Sequence, residues 1–456
     1  MAKVSTPGKE TRSRPNELAD PAAQRRAVEA VIWGMPAVNF DRMLKAARDN
    51  GGKPNQMVFW SRPVNSHNQT LTPNPDTIYL NPFYDTRNGP VVLEIPPVDG
   101  DAVIVGSIDN SWQNALEDVG PAGADKGKGA KYLITPPGYA DKAPDGYIVL
   151  PSDTYQGFVI LRSNFKSRSD ADIAAAVEYG KHVKIYTLGT DSSKTVYVDM
   201  YDKLFDSTIP YDWRFFESLH SFVQIEPWLT RDKVMIGLLR SIGIERGKPF
   251  QPDEKMKAIF DDAARAARAE IDLRYIALFD SPFNDGTHWA VPASTDVVEG
   301  MGTGFADPNS YPLDNRAVSY AMGYFSAKHL GAGQYYLMSV SDEAGNPLDG
   351  KNTYRLTVPP DAPVKQYWSA TAYDRETHAL IRGMTRASRA SNSPDVQKNG
   401  DGSIDVYFGP KAPPSKDSNL VPTDPQRQFE VLFRFYGPEK SLFDKTWVLP
   451  DMEKVS

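Results

Sequence analysis

Between Trp60 and Tyr79 the chain gathers the side-chain types that acid–base chemistry uses: Trp60, His67, Asn74, Asp76, Thr77 and Tyr79. Pro73 and Pro75 restrict the backbone of the turn Thr72-Pro73-Asn74-Pro75-Asp76-Thr77 and fix where its side chains point. An aspartate desolvated beside aromatic rings has the basicity to take a proton, so Asp76, Tyr79 and His67 form the candidate catalytic set. Asn74, Thr77 and Trp60 would then orient a substrate. The competing reading is structural, because Asn and Asp in such turns also serve simply to satisfy backbone donors.

A second group lies far along the chain. Trp368 and Tyr373 fall on one expected strand, and Arg434 and Tyr436 share a face of another. With Trp112 they are the remaining candidate substrate-binding residues. A buried Arg434 paired with Asp374 or Asp76 would either hold a substrate carboxylate or tie the sheets together.

Other chemistries lack support. No GxSxG elbow marks a serine nucleophile. The absence of cysteine removes disulfides, thiolate zinc sites and a cysteine nucleophile. The six histidines show no HExxH or HxxxH spacing, so neither a metal nor a cofactor is expected. Gly300-Met-Gly-Thr-Gly-Phe305 lacks the strand and helix context of a dinucleotide loop and reads as a hinge or turn. A net charge of −7 over 456 residues gives no reason to expect nucleic acid as a partner. No apolar run reaches the length of a membrane span. The N-terminus has no signal-peptide core, which fits the cytoplasm as written, or the periplasm if an export signal has been removed.

The length calls for more than one core. Residues 1–19 read as a disordered tail. Residues 20–168 read as a helix, kinked or divided at Pro36, followed by short strands punctuated by Gly, Pro and Asp. Residues 169–330 read as a helical section with its connector: a helix from Asp170 to Leu188, then helices over Tyr211–Trp228, Arg231–Ile242 and Pro252–Phe279, and a short one over Arg316–Phe325. Residues 331–456 return to strands. The expected class is mixed and mainly β, with two antiparallel, jelly-roll-like β-sandwiches flanking or joined by α-helices. Leu93–Asp109 and Leu356–Asp374 share the order strand, Pro-Pro turn, strand ending on Asp, which points either to an internal duplication or to recurrent turn chemistry.

The segment TPNPDTIYLNPFYDTRNGPVVLEIPP resembles the signature of domain-of-unknown-function family 1254. Tyr367-Trp-Ser-Ala-Thr-Ala-Tyr-Asp374 and Phe429-Glu-Val-Leu-Phe-Arg-Phe-Tyr-Gly-Pro438 resemble those of family 1214, its usual companion. The resemblance implies a two-part β architecture with jelly-roll-like sandwiches, a helical insert and assembly as a homo-oligomer, and it implies no reaction. Leu80-Asn81-Pro82-Phe83 departs from the first signature and would reshape a pocket wall. The sequence thus leaves three readings open: a cofactor-free enzyme of hydrolytic or acid–base type on a small organic or carbohydrate-like molecule, a non-catalytic small-molecule binder, or an assembly protein.

Overall fold

The computed structural model describes residues 15–323, 326–329 and 333–455. Residues 1–14 of the expected tail, the end of the helix expected to reach Phe325 and the boundary expected at 330/331 lie outside that set.

Helix α1 (Pro15–Asp49) carries Pro21 and Pro36 inside it and is not divided. Its small and apolar residues, among them Ala27, Ala30, Val31, Met35 and Val38, are fully buried, so tertiary packing holds the helix through Pro36. The proline carbonyl accepts a hydrogen bond from Gln113 Nε2 at 3.0 Å. Short strands follow: β1 (Met57–Phe59), β2 (Asn68–Gln69), β3 (Ile78–Leu80), β4 (Phe83–Asp85), β5 (Val91–Ile95) and β6 (Ile104–Asn110). Then come β7 (Ala115–Val119), β8 (Ala130–Thr135), β9 (Tyr147–Pro151) and β10 (Gln156–Ser163).

Helix α2 (Asp170–Gly180) is capped by Ser169, whose side chain accepts from the Asp172 N–H. It stops eight residues short of the expected Leu188, because Val183 and Ile185 are taken into the sandwich core by strand β11 (Lys184–Thr187). The middle section holds β12 (Tyr197–Asp199), β13 (Phe205–Asp206), α3 (Arg214–Ile225), α4 (Lys233–Ser241), α5 (Glu254–Ala277), α6 (Thr295–Thr303) and α7 (Leu313–Met322). The glycine-rich stretch expected as a hinge is the last turn of α6, closed by Gly304 in the left-handed conformation, φ 64°.

The chain ends with β14 (Gln334–Ser339), β15 (Tyr354–Val358), β16 (Trp368–Asp374), β17 (Ser388–Ala390), β18 (Ile404–Gly409), β19 (Leu420–Pro422), β20 (Phe429–Tyr436), α8 (Lys440–Phe443) and β21 (Glu453–Lys454).

The strands form two sandwiches of the same design. In the first, β3-β10-β6-β7 form an antiparallel run, and β11-β5-β8-β9 pair antiparallel, antiparallel and parallel. In the second, β14-β20-β16-β17 and β21-β15-β18-β19 repeat that order, that chain connectivity and that mix of directions. The duplication hinted at by the Pro-Pro segments is therefore present in the topology. Strands β5 and β6 belong to different sheets and do not pair with each other. One detail differs from the sequence comparison. With Arg162 placed on Arg434, Asn110 and not Asp109 takes the position of Asp374, since Gly157 pairs Asn110 where Phe429 pairs Asp374.

Alternation along each strand separates two interiors. Leu80, Val159 and Leu161 point into the first sandwich core, and Leu337, Val431 and Phe433 into the second. Tyr79, Phe158, Ile160, Met338 and Leu432 point out of the sandwiches, into a third core shared with helices α1, α3, α5 and α7.

Candidate functional site

Where the outward faces of the two sandwiches approach each other they enclose a cavity of about 60 Å³, closed by Met43 of α1, Met322 of α7 and the Thr72–Asn74 turn. Register places the polar residues of its walls. Arg162 on β10 stands directly across from Tyr79 on β3, and Arg434 on β20 directly across from Tyr336 on β14. All four side chains line the cavity. So does Asn81, two residues beyond Tyr79, buried and with its Oδ1 unpartnered among the described residues.

Arg434 is 2% exposed. Its Nη1 donates to Thr371 Oγ1 at 3.0 Å, and its Nη2 donates to Tyr373 Oη at 2.7 Å and to the Thr72 carbonyl at 3.1 Å. Three of the five guanidinium N–H groups are thereby used. The sequence paired Arg434 with Asp374 or Asp76. Instead Asp374 is taken by Arg427 and Asp76 by Arg168. Arg434 makes no ion pair among the described residues, although its charge reaches Asp76 and helps to lower that carboxyl's pKa. Arg162 stands 5.6 Å from the Tyr79 ring centroid, makes no ion pair among the described residues, and keeps a buried Nε without a hydrogen-bond partner. Burial works against charge on both guanidiniums, while charge interactions with the neighbouring tyrosines, Tyr79 first at Arg162 and Tyr373 first at Arg434, hold both pKa values above the usual arginine value.

The turn that supplied the sequence candidates closes this cavity and locks the two sandwiches together. Asn74 donates through Nδ2 to Tyr436 Oη at 2.6 Å, accepts the Asp76 N–H at 2.9 Å, and gives its own N–H to Tyr79 Oη at 3.0 Å. Tyr373 donates to the Pro73 carbonyl at 2.6 Å, and Tyr367 to the Asp76 carbonyl at 2.9 Å. Tyr436 stacks on Tyr367 with centroids 4.1 Å apart.

Asp76 itself is buried away from the cavity, ion-paired with Arg168 and accepting from Ser388 Oγ at 2.7 Å. Burial alone would raise its pKa, but the Arg168 charge and these hydrogen bonds hold it below the ordinary aspartate value. His67 is exposed and lies outside the cavity lining. Thr77 turns its hydroxyl to Asn164 Oδ1 at 2.9 Å. Trp60 lines the cavity, edge-on to Tyr79 at 6.4 Å. Trp368 stacks on Phe433 in the second sandwich core. Trp112 packs against Trp33 and Phe222. The structure thus joins Tyr79, Asn74, Trp60 and Arg434 around one space, sets Tyr373 and Tyr436 just behind it, and leaves Asp76, His67, Thr77, Trp112 and Trp368 elsewhere.

Arg162 and Tyr336 are additions from the fold, while Asn81 lies in the Leu80–Phe83 segment that the sequence marked as a pocket wall. A signal for the first two lay in the sequence: Val159-Ile-Leu-Arg162 parallels Val431-Leu-Phe-Arg434, and Tyr79-Leu80 parallels Tyr336-Leu337.

A chain built of two like sandwiches, with a cationic, tyrosine-lined cavity between them, defines the class. Residues 54–187 match the family described as "Protein of unknown function (DUF1254)", and residues 333–440 the one described as "Protein of unknown function (DUF1214)". The chain belongs to the two-domain family that joins them, and each match falls on one sandwich. A search of curated proteins finds no match to this chain. Among solved structures, the VPA0106 protein from Vibrio parahaemolyticus shares the fold at 19% identity and a TM-score of 0.58, over 95% of this chain and all of that one. A putative uncharacterized protein from Burkholderia cenocepacia aligns at 12% identity and a TM-score of 0.44, over 96% of each.

Proposed function

We propose that the protein binds a small anionic organic molecule, a carboxylate above all, in the cavity between the sandwiches. One observation supports this reading most: two arginines line the same small space, and among the described residues no Asp or Glu lines it with them. A desolvated cation without a counter-charge costs several kcal/mol. A bound carboxylate offsets that cost and accepts bidentate hydrogen bonds from a guanidinium. Asn81 and Arg162, both lining the cavity, also carry a buried Oδ1 and a buried Nε without a hydrogen-bond partner among the described residues. Apolar walls from Ile160, Met338 and Leu432 suit a hydrocarbon body.

Binding is favoured over turnover because the described cavity wall carries no carboxylate and no imidazole. A catalytic reading rests on Tyr79 alone, whose hydroxyl accepts from Asn74 N–H and whose ring lies 5.6 Å from the Arg162 guanidinium. Calorimetric titration with small carboxylates and their neutral amides tests the main reading. Carboxylates bind and amides do not, and Arg434→Gln weakens carboxylate binding about tenfold or more in protein that still unfolds cooperatively. Equal behaviour of acids and amides would refute it.

A further inference from the structure

Building on the anion-binding reading above, we infer that the cavity takes a short dicarboxylate, one carboxylate at each of two equivalent tyrosine–arginine stations supplied by the duplicated sandwiches. The stations are equivalent by topology. Arg162 and Arg434 lie on matching strands, β10 and β20, each directly opposite a tyrosine on the matching neighbour, β3 or β14. Duplication of one sandwich and apposition of the outward faces therefore brings two copies of one cationic station to a single cavity.

Charge and size narrow the ligand. Among the described residues no acid lines the cavity beside either guanidinium, so a monocarboxylate pairs with one and leaves the other unpaired, whereas a dianion pairs with both. The cavity is small, about 60 Å³, which keeps the spacer to a few carbons. Ile160, Met338 and Leu432 supply an apolar lining for such methylenes.

The two stations differ in rigidity. Arg434 is fixed by Thr371, Tyr373 and the Thr72 carbonyl and is the anchored one. Arg162 lines the cavity with no ion pair among the described residues, so it is the one a second carboxylate would complete. Replacing it also disturbs the least structure, which makes it the better probe.

The test is calorimetric titration of malonate, succinate and glutarate against acetate, propionate and butyrate at fixed ionic strength, with wild type and Arg162→Gln. The expected result is that the best dicarboxylate binds about tenfold or more tightly than the best monocarboxylate. In Arg162→Gln that preference falls to about twofold or less, while monocarboxylates still bind at Arg434. Monocarboxylates that match dicarboxylates in wild type would overturn the dicarboxylate assignment and leave the anion reading in place. A dicarboxylate preference that survives Arg162→Gln would overturn the two-station geometry. Failure of every acid to bind would overturn both proposals.

Discussion

Replacing Asp76 by Asn separates the two roles this residue could have. The carboxylate is buried, ion-paired with Arg168 and bonded to Ser388 Oγ at 2.7 Å, and it does not line the cavity. The substitution keeps the shape and removes the charge. Breaking a buried pair costs about 3 to 5 kcal/mol, and the lower end applies because the Arg168 side chain is 27% exposed and can recover hydration. At about 2.1 cal/mol/K per residue the unfolding entropy of 456 residues is about 1 kcal/mol/K, so a loss of about 3 kcal/mol lowers Tm by about 3 °C. The pH dependence has a definite sign. The folded-state pKa of Asp76 is depressed, so its contribution is present above the unfolded value of about 3.9 and is lost as pH falls through the folded value. Calorimetric Tm measured from pH 7 down to pH 3 should show the gap between wild type and Asp76→Asn narrowing at the acid end. Carboxylate affinity at pH 7 should stay within about twofold of wild type. An unchanged Tm accompanied by loss of ligand binding would refute the structural role and return Asp76 to the site.

Three further outcomes follow from other buried groups. Glu226, buried and receiving the backbone N–H groups of Tyr155 and Gln156, has its pKa pushed by burial up to about 7. Because that value lies above the unfolded one, stability falls as pH rises from about 4.5 to 7, and Glu226→Gln should remove on the order of 3 kcal/mol of this decline in urea titrations at the two pH values. Asp109 has both carboxyl oxygens buried without a hydrogen bond among the described residues, and burial, helped by the Asp118 charge, pushes its pKa well above the ordinary aspartate value, so Asp109→Leu should leave Tm unchanged or raise it by a degree or two; a large drop would reveal a needed polar role. Gly106→Ala would place a β-carbon 1.9 Å from the Ile160 carbonyl oxygen at φ 154°, so it should unfold or severely destabilise the first sandwich, read by loss of soluble protein or a Tm fall well beyond that of Asp76→Asn.

Much of the architecture could be read from local pattern, because short β-branched runs between Gly, Pro and Asp punctuation state both strand and turn, and the Ala-rich α5 states its own helix. The exceptions share a physical cause: tertiary burial overruled local preference. Pro36 sits inside an unbroken helix because its neighbours are buried on every side, and Ile185 leaves a helical period because a sheet core receives it. The Gly300–Phe305 run looked like a hinge, although a glycine after a helix more often supplies its left-handed cap.

The site was legible in part. The Thr72–Tyr79 turn and Arg434 announced themselves by residue type, and both reach the cavity or its rim. Asp76 could not be assigned from sequence, since its partner Arg168 lies 92 residues away and only folding puts them together. Arg162 was overlooked because a single arginine in an apolar strand carries no motif of its own. Its meaning came from the repeat, once β10 and β20 could be laid on each other strand by strand. The comparison of Pro-Pro segments pointed at that repeat from its loops, whereas the chemistry lies on the strands opposite them.

The most direct measurement is a crystal structure grown with the tightest-binding small carboxylate. The account predicts ordered density for the anion between the sandwiches, with its oxygens within about 3 Å of a guanidinium nitrogen of Arg434 or Arg162. An anion bound elsewhere, with only water between Tyr79 and Tyr336, would contradict it.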